Sequence, residues 1–113
     1  MSGVPSVRRL RFRYEKTGPS RFVSHRNFCK LVERALRRTG FPLVFSAGFT
    51  PRPRLSFGPP LPVGVGGCRE AFDAWTDGNP DVPGLLARTD LLPEGARLLS
   101  AAWAAMAAPA LSA

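Results

Sequence analysis

From Val7 to Tyr14 the chain alternates. Leu10, Phe12 and Tyr14 fall on one side, and Arg9, Arg11 and Arg13 on the other. A period of two with one apolar and one charged side predicts a strand that lays one face on a core and keeps the other in water. Glu15-Lys16-Thr17-Gly18-Pro19 reads as a turn. The period then lengthens: Phe28, Leu31, Val32, Ala35 and Leu36 recur at helical spacing. Ser24 is a suitable N-cap, Asn27 stands at the third helical position, Gly40 lies just past the end, and Pro42 prevents continuation. Arg26, Lys30, Glu33, Arg34, Arg37 and Arg38 fill the remaining faces, and the last two also suit the negative end of the helix dipole.

Beyond this helix, Leu43 to Ser46 predicts a short strand entering a Pro- and Gly-rich segment, and Arg54 to Phe57 a strand leaving it. Glu70 to Thr76 alternates again, with Phe72, Ala74 and Thr76 facing one way and Ala71, Asp73 and Trp75 the other. Asp77-Gly78-Asn79-Pro80 is a turn. Val82 to Leu92 predicts a helix with Leu85, Leu86 and Leu91 as its apolar contacts. Arg97 to Trp103 predicts a last strand, although its alanines are equally compatible with helix. The order strand–helix–strand–strand–helix–strand is that of an α+β, ferredoxin-like split βαβ sandwich, an antiparallel sheet with two helices on one face. Residues 1–6 read as a loose lead, 7–106 as a single domain, and 107–113 as a tail. Both helices on one face leave the other open, with Arg9, Arg11 and Arg13 on a central strand of it. Single-stranded RNA binds there in several such domains.

The charge distribution sharpens this picture. The 113 residues carry a formal net charge of +8. Residues 1–58 hold thirteen Lys and Arg against two acids, and residues 59–113 hold three against six, so +11 and −3 account for the total. An excess confined to one half implies a basic face and an anionic partner, of which nucleic acid is the commonest. Within Phe41 to Gly67, Arg52 and Arg54 are separated by Pro53 and preceded by Pro51. Guanidiniums on so stiff a backbone lose little entropy on meeting an anion. The competing reading is a surface connection with solvated arginines.

Catalytic chemistry has few candidates. His25, the only histidine, sits at the start of the basic helix, where the dipole and Arg26 disfavour its charged form. A neutral imidazole there suits a general base or an anion contact, and equally a partly exposed histidine with no chemistry. Ser24 adjoins it, but no orienting acid completes a triad. Cys29 on the helix and a distant Cys68 do not form a metal-ligand set. Gly64-Val65-Gly66-Gly67 lacks the Lys-Ser/Thr of a phosphate loop and reads as a bend between strands. No metal, cofactor or catalytic residue is expected. The N-terminus has no apolar signal core and no run is long enough to span a membrane, which suggests a cytoplasmic protein.

Four segments together resemble a known family. They are Tyr14 to Gly18 (a Y-x-K-x-G turn), Arg21 to His25 (R-F-x-S-H), Glu33 to Gly40 (E-R-A-x-R-R-T-G), and Phe49 to Gly64 (F-T-P-x-P-R-L-S-F-G-P-x-L-P-x-G). In these the chain is similar to the radical-SAM-linked proteins, a bacterial family also known as a domain of unknown function. The likeness covers about half the chain and fades after Arg69, with Leu92 to Leu99 still recognisable. Where the family has Leu-Asp after Ser-His, this chain has Arg26-Asn27, and where it commonly has His before Pro-Arg, this chain has Arg52. Both changes add positive charge.

The resemblance implies fusion to, or encoding beside, a radical SAM enzyme with a cobalamin-binding-type domain, near genes for an RNase of the E/G type and ribosomal proteins. It implies no iron–sulfur cluster in this chain. Family members also run on for about another domain, so residues 107–113 look like the start of a missing second half. The leading expectation is a non-catalytic accessory module that binds RNA and partners a radical SAM enzyme. Arg9, Arg11, Arg13, Lys30, Arg34, Arg37, Arg38, Arg52 and Arg54 would contact RNA, with His25 adding a contact at the helix start. The alternatives are a module that docks on the partner enzyme without nucleic acid, and a ferredoxin-like RNA endonuclease using His25.

Overall fold

A computed structural model describes residues 7–58 and 67–104. The elements run β1 (Val7–Lys16), α1 (His25–Arg38), β2 (Leu55–Phe57), β3 (Gly67–Asp77), α2 (Val82–Leu86) and β4 (Ala96–Ala104), with a 3₁₀ turn at Gly18–Phe22. The four strands form one antiparallel sheet in the order β2-β3-β1-β4. The protein is therefore an α+β fold in the ferredoxin-like arrangement. The lead 1–6, the tail 107–113 and the Gly64–Gly66 part of the glycine-rich bend lie outside the described residues.

Alternation in β1 sets which way the sheet faces. Leu10, Phe12 and Tyr14 are all buried and stand opposite Ala74, Phe72 and Glu70 of β3. On α1, Phe28, Val32, Ala35 and Leu36 are buried in the same cluster, as the helical spacing requires. Aromatic rings carry the layer between helix and sheet. Phe12 stacks on Phe72 at 4.9 Å, Tyr14 on Phe28 at 5.1 Å, and Phe57 on Phe72 at 5.1 Å. Each such pair adds about 0.5–1.5 kcal/mol beyond its area of burial. Ser24 caps α1 by accepting a hydrogen bond from the Asn27 amide, and Gly40 takes φ 76° just past the helix end.

Three expected boundaries need correcting. β1 runs two residues beyond Tyr14 into the expected turn, and Lys16 stands opposite Gly67 and Ala96. Leu43–Ser46 is no continuous strand: Leu43 bridges Thr76 and Phe45 bridges Pro53 as isolated pairs. Pro42 and Pro53 have no amide to extend a ladder there. Instead Thr76 Oγ1 donates to the Pro42 carbonyl at 2.6 Å, and the Val44 amide to that of Trp75 at 2.9 Å. Finally, α2 ends at Leu86 and not Leu92. Gly84 weakens its interior, and Pro93 turns Leu92 away from helical geometry. Leu91 and Leu92 still reach the core, from a bend.

Candidate functional site

The cationic residues expected to form one surface divide between the two sides of the sheet. On the side opposite the helices lie Arg9, Arg11 and Arg13, facing Trp75, Asp73 and Ala71 across the β1–β3 ladder. Asp73 is fully buried between two of them. Arg9 Nε donates to its Oδ2 at 2.6 Å, and Arg11 donates from Nε to Oδ1 at 2.7 Å and from Nη2 to Oδ2 at 3.0 Å. Burial raises the pKa of the Asp73 carboxyl, but the hydrogen bonds from Arg11 and Arg9 outweigh it and hold the group below the ordinary carboxylate range. Arg9 itself is only 2% exposed. Arg13, by contrast, is exposed and has no ion-pair partner among the described residues.

Trp75 completes that face, and two guanidiniums lie over its ring: Arg9 at 5.1 Å and Arg54 at 4.9 Å from the centroid. An aromatic platform for an unstacked base needs a free ring face. This arrangement engages the ring with cations of the chain itself.

The second cationic surface is built on α1. Arg26, Lys30, Arg34 and Arg38 recur every four residues and are all exposed, so they form one stripe on the side of the helix away from the core. Arg37 flanks the stripe, and Arg52 reaches it from the loop, 3.6 Å from Glu33. Glu33 also lies 3.5 Å from Arg37, so one carboxylate tethers the loop arginine to the helix. Lys30, Arg34, Arg37, Arg38 and Arg52 line a shallow trough with Glu33 at its centre. Such exposed pairs contribute little stability, about 0–1 kcal/mol, and their effect here is positional. Arg52 and Arg54 therefore diverge: one ends on α1, the other on Trp75.

His25 belongs to neither surface. Its ring meets the edge of Phe57 at 5.8 Å, and its Nε2 lies 3.6 Å from Cys29 Sγ, one helical turn on. Burial lowers its pKa, and nearby Lys16 lowers it further, both favouring the neutral imidazole. Lys16 was not singled out by sequence reasoning, yet it is 3% exposed, donates from Nζ to the Val23 carbonyl at 2.7 Å, and lies 5.1 Å from the Phe28 ring centroid. Its signal was present: it continues the Leu10, Phe12, Tyr14 alternation. Burial lowers its pKa, opposed by Cys29, whose own thiol is pushed up by burial. Trp103 was also missed as an exposed aromatic; the Arg8 guanidinium sits 3.8 Å over its ring. Among the described residues no group of three or more His, Cys, Asp and Glu could hold a metal ion, and no helix is long and apolar enough to cross a membrane.

Fold and surface together define a basic α+β domain with two cationic faces, one in which Asp73 pairs with two of three arginines and one open along α1. Residues 9–113 match the model of the family "Uncharacterized protein conserved in bacteria (DUF2344)", and the chain belongs to that family. No curated protein and no solved structure matches it.

Proposed function

We propose that this protein binds the phosphate backbone of RNA on the outer face of α1, as a non-catalytic module associated with a radical SAM enzyme. The observation that carries the reading is the exposed stripe Arg26, Lys30, Arg34 and Arg38, joined by Arg52. Steps of four residues advance about 6 Å along a helix. That spacing suits successive phosphates of one strand, and a row of cations releases counterions when it meets them. Beside this stripe the Arg37 guanidinium already lies 5.6 Å from the Phe45 ring centroid, which favours backbone and shape over base stacking on that ring. RNA as the polyanion, and a radical SAM enzyme as the partner, rest on the family resemblance carried by Tyr14–Gly18, Arg21–His25, Glu33–Gly40 and Phe49–Gly64.

Fluorescence anisotropy of the full chain with a hairpin RNA at two salt concentrations tests this. Binding should weaken steeply with salt, and Arg34→Glu/Arg38→Glu should reduce affinity by at least about tenfold. Arg13→Glu, on the other side of the sheet, should change it little. Absence of salt-sensitive binding by a folded chain would overturn the RNA reading and leave docking on the partner enzyme as the better one.

A further inference from the structure

The two sheet edges are unequal. β2 offers three residues and β4 nine, and among the described residues nothing pairs with the outer side of β4. An edge strand presents unpaired amides and carbonyls, which proteins blunt with charge, proline, a bulge or a covering segment. β4 uses two of these, the exposed charge of Arg97 and a register shift opposite Arg13 and Tyr14 that leaves Leu99 out of the ladder. Beyond it, Ser100–Ala104 is regular and carries neither charge nor proline. Ser100, Ala102 and Trp103 in this stretch are exposed.

The two sides of this edge differ in chemistry. Ser100, Ala102 and Ala104 stand opposite Arg13, Arg11 and Arg9, so they share the side of the sheet away from the helices. Their side chains are small enough for the neighbouring arginines to lean across, and Arg11 and Arg13 line one groove with Ser100–Ala104. Ala101 and Trp103 stand opposite Phe12 and Leu10 on the other side, where Trp103 remains 46% exposed. One side of the edge is thus cationic over small residues, and the other is apolar except where the Arg8 guanidinium lies 3.8 Å over the Trp103 ring.

We propose that Ser100–Ala104 accepts an extended segment of another protein as a fifth strand, one whose residues alternate between acidic and apolar. An added strand would lie about 5 Å from β4 and about 10 Å from β1, a span that an extended arginine side chain and a facing carboxylate cover together. Its acidic residues meet Arg13, which has no ion-pair partner among the described residues, and the Arg11 nitrogen that Asp73 does not engage. Its apolar residues pack on Ala101 and Trp103. Charge argues against a second copy of this chain as occupant, because pairing β4 with β4 would bring Arg11 and Arg13 toward their own counterparts.

The test uses the full chain and three fluorescein-labelled peptides of about ten residues: alternating Val and Glu, alternating Val and Lys, and the Val/Glu peptide N-methylated at every second amide. The Val/Glu peptide should bind, the Val/Lys peptide at least about tenfold more weakly, and N-methylation should abolish binding by removing the strand donors. Arg13→Glu should weaken the Val/Glu peptide by about tenfold with the circular dichroism spectrum unchanged. Equal binding of the N-methylated peptide would overturn the proposal by showing charge attraction without strand addition, and so would no binding at all. A dimer in sedimentation that Ala102→Glu disrupts would assign the edge to a second copy instead. Arg34→Glu/Arg38→Glu should lose RNA but keep the peptide, so failure at one surface is distinguishable from failure at the other. Loss of the peptide in that variant would place it on α1 and end the edge proposal.

Discussion

Arg9 and Asp73, on neighbouring strands, form an ion pair with side chains 2% and 0% exposed. On the sheet face away from the helices, a carboxylate with no such partner would carry a large desolvation penalty. Two arginines from one strand, Arg9 and Arg11, offset it, and the pairing withdraws the buried Arg9 from contact with a phosphate.

Removing the carboxylate should therefore be severe. Asp73→Ala leaves Arg9 buried without its counter-ion and is expected to lower unfolding free energy by about 3–5 kcal/mol. Urea denaturation followed by tryptophan fluorescence checks this; a loss under about 1 kcal/mol would mean Arg9 finds water instead.

The same pair sets an acid limb of stability. Because the folded pKa of Asp73 lies below the unfolded value of about 3.9, its contribution is complete above that pH and is lost as pH falls through the folded value. Wild-type stability should fall on acidification below about pH 4, and the slope should be shallower in Asp73→Asn when both are measured in parallel.

Lys16 acts in the same pH direction as Asp73 but in an alkaline window. Burial lowers its folded pKa, so between that value and the unfolded one, about 10.4, the unfolded chain binds more protons. Its contribution is thus more favourable at the alkaline end of that window. Lys16→Met removes the buried charge together with the hydrogen bond to Val23, and at pH 7 should lie within about 1 kcal/mol of wild type. Stability of wild type minus that of Lys16→Met should rise from pH 7 toward pH 10; a flat difference would place the amine in water.

Gly95 carries a backbone requirement. It has φ 91°, its carbonyl accepts the Thr17 amide at 2.8 Å, and a Cβ there would collide with the Thr17 carbonyl oxygen. Gly95→Ala should destabilise by about 2–4 kcal/mol through strain and steric overlap at one position. A thermal melt with a change of only a degree or two would show that this turn can rearrange.

Glu33 is the single acid in the α1 trough, and neutralising it should help an anionic ligand. Glu33→Gln releases Arg52 and Arg37 from their 3.6 Å and 3.5 Å pairs and should raise hairpin RNA affinity about twofold to fivefold at low salt. An affinity drop would mean that the tether holding Arg52 in place matters more than the charge.

Local pattern determined much of this protein. Alternation in Val7–Tyr14 showed which side of β1 faces the core, helical spacing from Phe28 to Leu36 did the same for α1, and Ser24 and Gly40 marked its ends. Those are short-range signals, carried by side-chain direction and capping chemistry. The α1 stripe was legible for the same reason, since residues four apart on a helix must share a face. What only the tertiary structure decided lies in pairings distant in the chain. Asp73 is 64 residues from Arg9, and no local rule announces that it pairs with two arginines. Arg52 and Arg54 look like one clamp in sequence, yet Glu33 holds the first and Trp75 engages the second. The β1 alternation already pointed Lys16 inward, but its partners there, the Val23 carbonyl and the Phe28 ring, were settled only by packing. Periodicity tells which side a residue faces; only packing decides which other charges are waiting there.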